Sequence, residues 1–133
     1  MLALDDRDLI RWCGEQGTGV VSYGPLGFGL LTGRISREQA VSVSDWRRAE
    51  DDGPFTDAKL DRDLAIVEAL RPIAERLGVT MAQLALAWNF AQSGVTSAIA
   101  GSRDPDHARD NAAAGDVELD GQTLAEIEVV LTS

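Results

Sequence analysis

Two short apolar runs set the strongest limit on how this chain can fold, because each is too brief for a helix and each is closed by glycine. The first covers residues 19–23 and ends at Gly24; the second covers residues 95–100 and ends at Gly101. Apolar, β-branched or aromatic residues bounded by turn residues indicate strands. Helical patterns precede, separate and follow the two runs, and this alternation is typical of an α/β protein with parallel strands.

Five helices are predicted from apolar periodicity and from residues that begin or end helices. Thr80 with Gln83 three residues later forms a capping box, and Asp104 is an N-cap followed by proline. Gly78 supplies a C-terminal glycine. The predicted helices cover residues 5–15, 60–77, 80–93 and 104–114 and the stretch that follows Asp120.

Two segments between these elements are predicted to be loops. Residues 27–33 contain too many glycines for a stable element and favour a loop built for close backbone approach. They do not form a G-x-G-x-x-G fingerprint, since Thr32 occupies the third glycine position. The polar residues 34–58 are predicted to be a long loop that acts as a lid or clamp. Within it, Asp45, Trp46 and Arg47 are either loop charge around one buried indole or part of a cover.

Composition limits the class of protein and of partner. With 133 residues and 44% hydrophobic content, the chain fits one domain with a packed core. The formal net charge of −10 opposes binding to nucleic acid or to anionic membrane. No apolar run is long enough to span a bilayer, and the first residues turn acidic too soon for a signal peptide, so we expect a cytoplasmic protein. The single cysteine, Cys13, excludes an internal disulfide and is expected to be buried.

One segment has the chemistry of an anion site. Gly101, Ser102 and Arg103 precede a predicted helix, whose free N–H groups and dipole favour a negative charge. The guanidinium of Arg103 adds a fork of donors that suits a phosphate. The alternative is an exposed arginine on a solvated turn, and both interpretations stand on the residues alone.

Several segments together resemble the C-terminal signatures of aldo-keto reductases. Residues 21–33, 45–47, 82–88, 100–103 and 110–111 are similar to those signatures in their order and spacing, and they span most of the chain. The resemblance implies a partial TIM (β/α)8 barrel with two parallel strands and about five helices, in one domain over residues 1–133. A complete barrel takes roughly 250 residues, so this chain would supply its last two strands and the part that binds NADP.

The resemblance also implies where NADP is bound. Tyr23 would stack on the nicotinamide, and Ser102 and Arg103 would hold the adenosine 2′-phosphate next to Gly101. Asn111 would contact the adenine, with His107 and Asp110 at positions where the family usually has glutamine and glutamate. The glycine-rich turn would offer unobstructed backbone N–H groups to the pyrophosphate, and the residues expected to line it are Gly24, Pro25, Leu26, Gly27 and Gly29. The alternatives without a ligand are that Tyr23 belongs to the core, that the glycines form only a tight turn, and that His107 is a surface histidine.

The catalytic residues of the family have no counterpart in this sequence. The family uses a tyrosine acid tuned by a lysine and an aspartate, with a histidine near the substrate carbonyl. Here Tyr23, Lys59 and His107 are the only residues of their types, and none lies in that context. We therefore name no catalytic residue and no metal ligand in this chain.

Two functions from different classes follow. The first is an NADP-dependent aldo-keto reductase of small carbonyl compounds, with its catalytic residues outside this chain. The alternative is a non-catalytic module that binds a nucleotide or assembles with a partner. Two parallel strands cannot close a barrel, so we also expect self-association through exposed barrel edges.

Overall fold

The computed structural model describes residues 6–42, 46–48 and 53–133, and a pair of parallel strands organises it. Strand β1 (Val20–Tyr23) pairs with β2 (Val95–Ile99), and the register places Tyr23 opposite Ile99. The predicted α/β class with two parallel strands is confirmed.

Six α-helices occur in the described part of the chain, one more than the sequence predicted. Their bounds are α1 (Arg7–Glu15), α2 (Arg37–Val41), α3 (Asp57–Leu77), α4 (Met81–Phe90), α5 (Pro105–Ala113) and α6 (Gly121–Thr132). The additional helix, α2, lies inside residues 34–58, so the prediction of one long loop there is wrong. Its signal was a second capping box: the Ser36 hydroxyl accepts from the Gln39 N–H, and the Gln39 side chain accepts from the Ser36 N–H.

The core lies on only one side of the two-stranded sheet. Helices α3, α4 and α6 bury Leu60, Leu84 and Leu131 together with Phe55, each at most 2% exposed. On the other face of the sheet, Val21, Tyr23 and Ile99 are each more than half exposed. The strands therefore have a half-buried face towards the helices and a bare face.

The described part of residues 34–58 contributes to this core. Ala40 and Phe55 are fully buried, and α2 packs against α3. The Phe55 N–H donates to the Arg47 carbonyl at 2.8 Å, and the Arg48 guanidinium donates to the Phe55 carbonyl at 3.0 Å. Asp45 lies outside the described residues. The described residues of this segment thus support α3.

Helix α1 is attached by a few specific contacts and has no buried residue. Trp12 is 56% exposed, and Cys13 is half-buried rather than buried as expected. The Arg7 guanidinium donates to Glu128 of α6 at 2.7 Å and lies over the Trp88 ring at 5.5 Å. At the other end of the helix, Gly14 touches the turn before β2.

That turn gives the first test of the fold. Gly94 has φ of +98°, and a Cβ there would lie 2.4 Å from the Ile10 carbonyl oxygen and 3.0 Å from the Gly14 nitrogen. Gly94→Ala is expected to lower the free energy of unfolding by about 1–3 kcal/mol from backbone strain alone, and to loosen α1. Chemical denaturation followed by circular dichroism measures the loss. Gly115→Ala, at a glycine with open space around it, is the control; equal stability of the two variants would contradict this packing.

A buried carboxyl on α3 gives a pH-dependent test. Asp63 is 7% exposed, and burial raises its pKa, although Arg62 and Lys59 partly oppose that shift. Stability from such a group is present below its ordinary pKa of 3.8 and is lost as the pH rises through the folded-state value. Asp63→Asn removes the buried charge, so the thermal midpoint should rise at pH 7, and the gain should shrink towards pH 4. The exposed Asp116→Asn serves as control; no gain at pH 7 would refute the assignment.

Candidate functional site

The two strands end side by side, so the segments that follow them share one edge of the sheet. Because Tyr23 pairs with Ile99, the turn that begins at Gly24 lies beside the turn that begins at Ala100. In α/β folds, ligands bind at the carboxyl ends of parallel strands. Both segments singled out in the sequence therefore meet at the edge where a ligand is expected.

Tyr23 presents its ring to solvent at this edge. The side chain is 79% exposed, so the alternative of a core tyrosine is wrong. Phe28 holds the ring edge-to-face, with the ring centroids 6.2 Å apart and the planes at 63°. Phe28 adopts φ of +55°, a backbone conformation that is unusual for a bulky residue. The contact therefore orients Tyr23 and leaves its ring open for stacking.

The glycine-rich turn uses part of its own hydrogen-bonding capacity. Gly24, Gly27 and Gly29 all have positive φ, which explains the choice of glycine. The Gly27 N–H donates to the Gly24 carbonyl at 2.9 Å, and the Gly29 N–H donates to the Leu26 carbonyl at 3.1 Å. The expectation that this turn offers unobstructed N–H groups is therefore wrong for Gly27 and Gly29.

A cleft of about 190 Å³ opens between the turn after β1 and helices α4 and α5; we call it the α5 cleft. It brings together residues from both strand ends and from the start of α4. Six of the expected binding residues line it: Leu26, Gly101, Ser102, His107, Asp110 and Asn111. Four further residues line it that sequence reasoning missed: Thr32, Arg34, Thr80 and Ala82.

The N-terminus of α5 is capped by the chain itself. The Asp104 carboxylate accepts from the N–H groups of Asp106 at 2.8 Å and His107 at 3.4 Å, while Pro105 has no N–H. These hydrogen bonds, chiefly that from Asp106, hold the pKa of the Asp104 carboxyl below its usual value. The free N–H groups expected at this helix end are therefore occupied, and positive charge in the cleft must come from side chains.

Arg34 supplies that charge. Its Nη1 lies 2.5 Å from Nε2 of His107, a contact between residues 73 positions apart in sequence. Arg34 follows Gly33, which ends the glycine-rich turn in a left-handed conformation. The sequence did offer a signal for Arg34, since it is a basic residue directly after the glycine-rich turn. Its position next to α5 is apparent only in the folded structure.

The opposite side of the cleft joins α4 to α5. The Thr80 hydroxyl caps α4, as the sequence predicted, and also donates to Asp110 Oδ2 at 3.1 Å. The Gln83 side chain donates to the Asp110 carbonyl at 3.3 Å. Asp110 is therefore fixed by α4, and Asn111 lies beside it in the lining.

The remaining expected residues lie elsewhere. Tyr23, Gly24, Pro25 and Gly27 border a second cleft of about 350 Å³ between β1, α1 and α4. Gly29 and Arg103 line neither cleft. Arg103 is exposed and has no hydrogen bond or ion pair with any residue that the structure describes.

Three of the four residue types expected at a reductase centre, the tyrosine, the lysine and the histidine, lie on separate elements. Tyr23 ends β1, Lys59 lies in the first turns of α3, and His107 lies in α5. Over residues 6–42, 46–48 and 53–133, no group of three histidine, cysteine or acidic side chains is arranged to hold a metal ion. No described helix is both long and apolar enough to cross a membrane.

Comparisons with known proteins agree on one family. The model of the aldo/keto reductase family matches residues 1–132. A probable voltage-gated potassium channel subunit beta from Arabidopsis thaliana is 34% identical over 121 residues, which are 90% of this chain and 37% of that protein.

Two solved structures show the fold. Glycerol dehydrogenase from Gluconobacter oxydans superposes with a TM-score of 0.81 at 23% identity, over 96% of this chain and 38% of that one. A thermostable aldo-keto reductase solved with the inhibitor epalrestat gives 0.60 at 20% identity, over 92% of this chain and 33% of that one. The chain has the fold of part of a TIM barrel and spans little more than a third of the relatives that it matches.

Proposed function

The chain belongs to the aldo/keto reductase family, and from that membership we propose that it binds NADP for the reduction of small carbonyl compounds. Bound NADPH supplies the hydride, and the groups that protonate the carbonyl oxygen come from outside this chain. We further propose that the protein acts in the cytoplasm.

The α5 cleft carries this proposal. Arg34, Ser102 and Asn111 converge there from three segments. The Ser102 hydroxyl donates to the Asp104 carbonyl at 3.0 Å, so the guanidinium and the amide are the donors that remain for a ligand. A guanidinium matches the geometry of a phosphate, and the amide suits the edge of an adenine ring. Arg103 follows Ser102 directly and has no competing partner among the described residues. This donor set fits the 2′-phosphate and adenine of NADP.

The nicotinamide end is assigned to the edge of the sheet. Tyr23 has an open ring held by Phe28, which suits stacking on a flat heterocycle. Pro25 and Leu26 follow Tyr23 and Gly24 in sequence. Leu26 lines the α5 cleft, so this turn connects the tyrosine to the cleft. The pyrophosphate would cross the turn at Gly24 to Gly29, where the N–H groups of Gly27 and Gly29 are already occupied within the turn.

The inventory of proton-transfer groups supports catalysis elsewhere. An unperturbed tyrosine has a pKa of about 10 and is a poor acid near neutrality unless neighbouring groups tune it. The only tyrosine is at β1, and the only lysine is on α3. In this proposal, Tyr23 binds cofactor and transfers no proton, and a tyrosine, lysine, aspartate and histidine from earlier strands complete the centre.

A second candidate is a non-catalytic module that assembles with a partner or a second copy. The bare face of the sheet favours it, with Val21 at 56%, Tyr23 at 79% and Ile99 at 55% exposure. Unpaired strand edges and contiguous apolar surface promote association. One relative is named as a probable channel subunit, which gives the family an example of assembly with other chains.

Cofactor titration tests the leading proposal. Calorimetry should show tighter binding of NADPH than of NADH, because only NADPH carries the 2′-phosphate. Removal of a charged hydrogen bond costs about 1.5–3 kcal/mol, so Arg103→Gln should weaken NADPH roughly 10- to 100-fold and leave NADH unchanged. Arg109→Gln is the matched control, since Arg109 lies on α5 and pairs with Asp106 outside the cleft.

Equal affinity for NADPH and NADH would rule out the proposed 2′-phosphate site. The same preparation, assayed with NADPH and a panel of simple aldehydes, should give no turnover. Robust cofactor-dependent turnover would instead place the catalytic groups within this chain.

Sedimentation velocity tests the association proposal. The wild-type chain should form dimers or larger species at micromolar concentration, and Ile99→Lys should shift it towards monomer by placing a charge on the bare face. Val129→Lys, at a more exposed apolar residue on α6, is the control and should leave the distribution unchanged. A monodisperse wild-type monomer would eliminate self-association.

A further inference from the structure

Phe28, the residue whose ring contacts Tyr23, has a strained backbone. Its φ is +55° and its ψ is +29°, and it is the only non-glycine residue with a positive φ in the part of the chain that the structure describes. A residue with a Cβ is strained in this left-handed region, and a bulky aromatic residue is rarely found there. Phenylalanine is therefore a costly choice at this position.

The surrounding turn holds Phe28 in this conformation. The N–H groups of Gly29 and Leu31 both donate to the Leu26 carbonyl at 3.1 Å, so the hydrogen bonds enclose Phe28 from either side. Gly29 follows with φ of +105°, and a Cβ there would lie 3.1 Å from Cδ1 of Ile35. Strain at one residue persists where its neighbours fix the backbone in this way.

Packing in the core does not account for the strain. Leu30 and Leu31, which follow in the same turn, are 1% and 3% exposed and belong to the core. Phe28 is half-buried, and it is neither one of the core residues nor one of those packed against them. The kink at Phe28 and Gly29 thus separates a side chain directed to Tyr23 from side chains directed to the core.

The ring of Phe28 reaches back over the turn to the end of β1. Besides its edge-to-face contact with Tyr23, it lies against Gly24: a Cβ at Gly24 would be 3.4 Å from Cζ of Phe28 and 3.5 Å from Cε1. Gly24 has φ of +64° and bends the chain between the two aromatic residues. The strained backbone therefore serves to bring one aromatic ring against another that is 79% exposed.

We propose that Phe28 is a positioning residue for the nicotinamide site, which holds the Tyr23 ring in one orientation before any cofactor binds. The inference rests on the proposed function, in which Tyr23 stacks on the nicotinamide. An exposed tyrosine without such a contact exchanges between rotamers, and ordering its ring on a ligand reduces the free energy of binding. The edge-to-face contact restricts that motion in advance and leaves the Tyr23 ring accessible.

A positioning role predicts different effects on stability and on binding. Phe28→Asn removes the ring, and asparagine tolerates the left-handed conformation better than phenylalanine does, so the thermal midpoint should stay the same or rise. NADPH should nevertheless bind roughly two- to tenfold more weakly, the factor that corresponds to one aromatic contact. Phe28→Tyr keeps the ring and should retain the wild-type affinity.

Adenosine 2′,5′-bisphosphate separates positioning from a general structural effect. It carries the adenine and the 2′-phosphate of NADP without the nicotinamide, so calorimetry should give the same affinity for the wild type and for Phe28→Asn. An equal loss of affinity for both ligands, or no loss for NADPH, would overturn the positioning role and leave the proposed function standing. No binding of NADPH by the wild type would overturn both.

Nuclear magnetic resonance tests the contact without any ligand. The chain has one tyrosine, so the tyrosine ring signals belong to Tyr23. The wild type should show nuclear Overhauser contacts between the rings of Tyr23 and Phe28 and ring-current shifts of Tyr23, and Phe28→Asn should lose both. Phe90→Asn, the same change at a partly exposed phenylalanine on α4, should keep both. Wild-type Tyr23 signals at the positions of an unfolded chain would overturn the proposal.

Discussion

The parallel pairing of β1 with β2 is the constraint on which the site depends. The register that sets Tyr23 opposite Ile99 places the turn after one strand beside the turn after the other. Parallel strands require a long connection, and helices α3 and α4 lie within it, with α4 in contact with β2. The α5 cleft exists because this pairing brings Leu26 and Ser102 to one place.

Local signals were sufficient to predict most elements. Thr80 and Gln83 marked the start of α4, and Asp104 marked the start of α5, because capping needs only residues a few positions apart. The same kind of signal at Ser36 and Gln39 was present but was outweighed by the polar composition around it. The contact of Arg34 with His107 had no local signal, since 73 positions separate the two residues and only strand pairing brings them together.

The residues expected to bind the cofactor do not all lie in one cleft, for physical reasons that sequence spacing does not reveal. The glycines of the turn were expected to offer N–H groups, but positive φ values close the turn on itself and use those of Gly27 and Gly29. Leu26 lines the α5 cleft, whereas its neighbour Gly27 borders the cleft beside α1. Consecutive residues in a tight turn thus face different surroundings, and a resemblance assigned to a whole segment cannot tell them apart.

The Asp104 cap has a consequence for the order of folding and binding. If the N–H groups at this helix end had no partner until a phosphate bound, the first turn of α5 would be less ordered before binding. Ordering it would then reduce the free energy of binding. Here the carboxylate of Asp104 and the ring of Pro105 complete α5 from within the chain. The helix is preorganised, so binding of a nucleotide as proposed would require only side chains to rearrange.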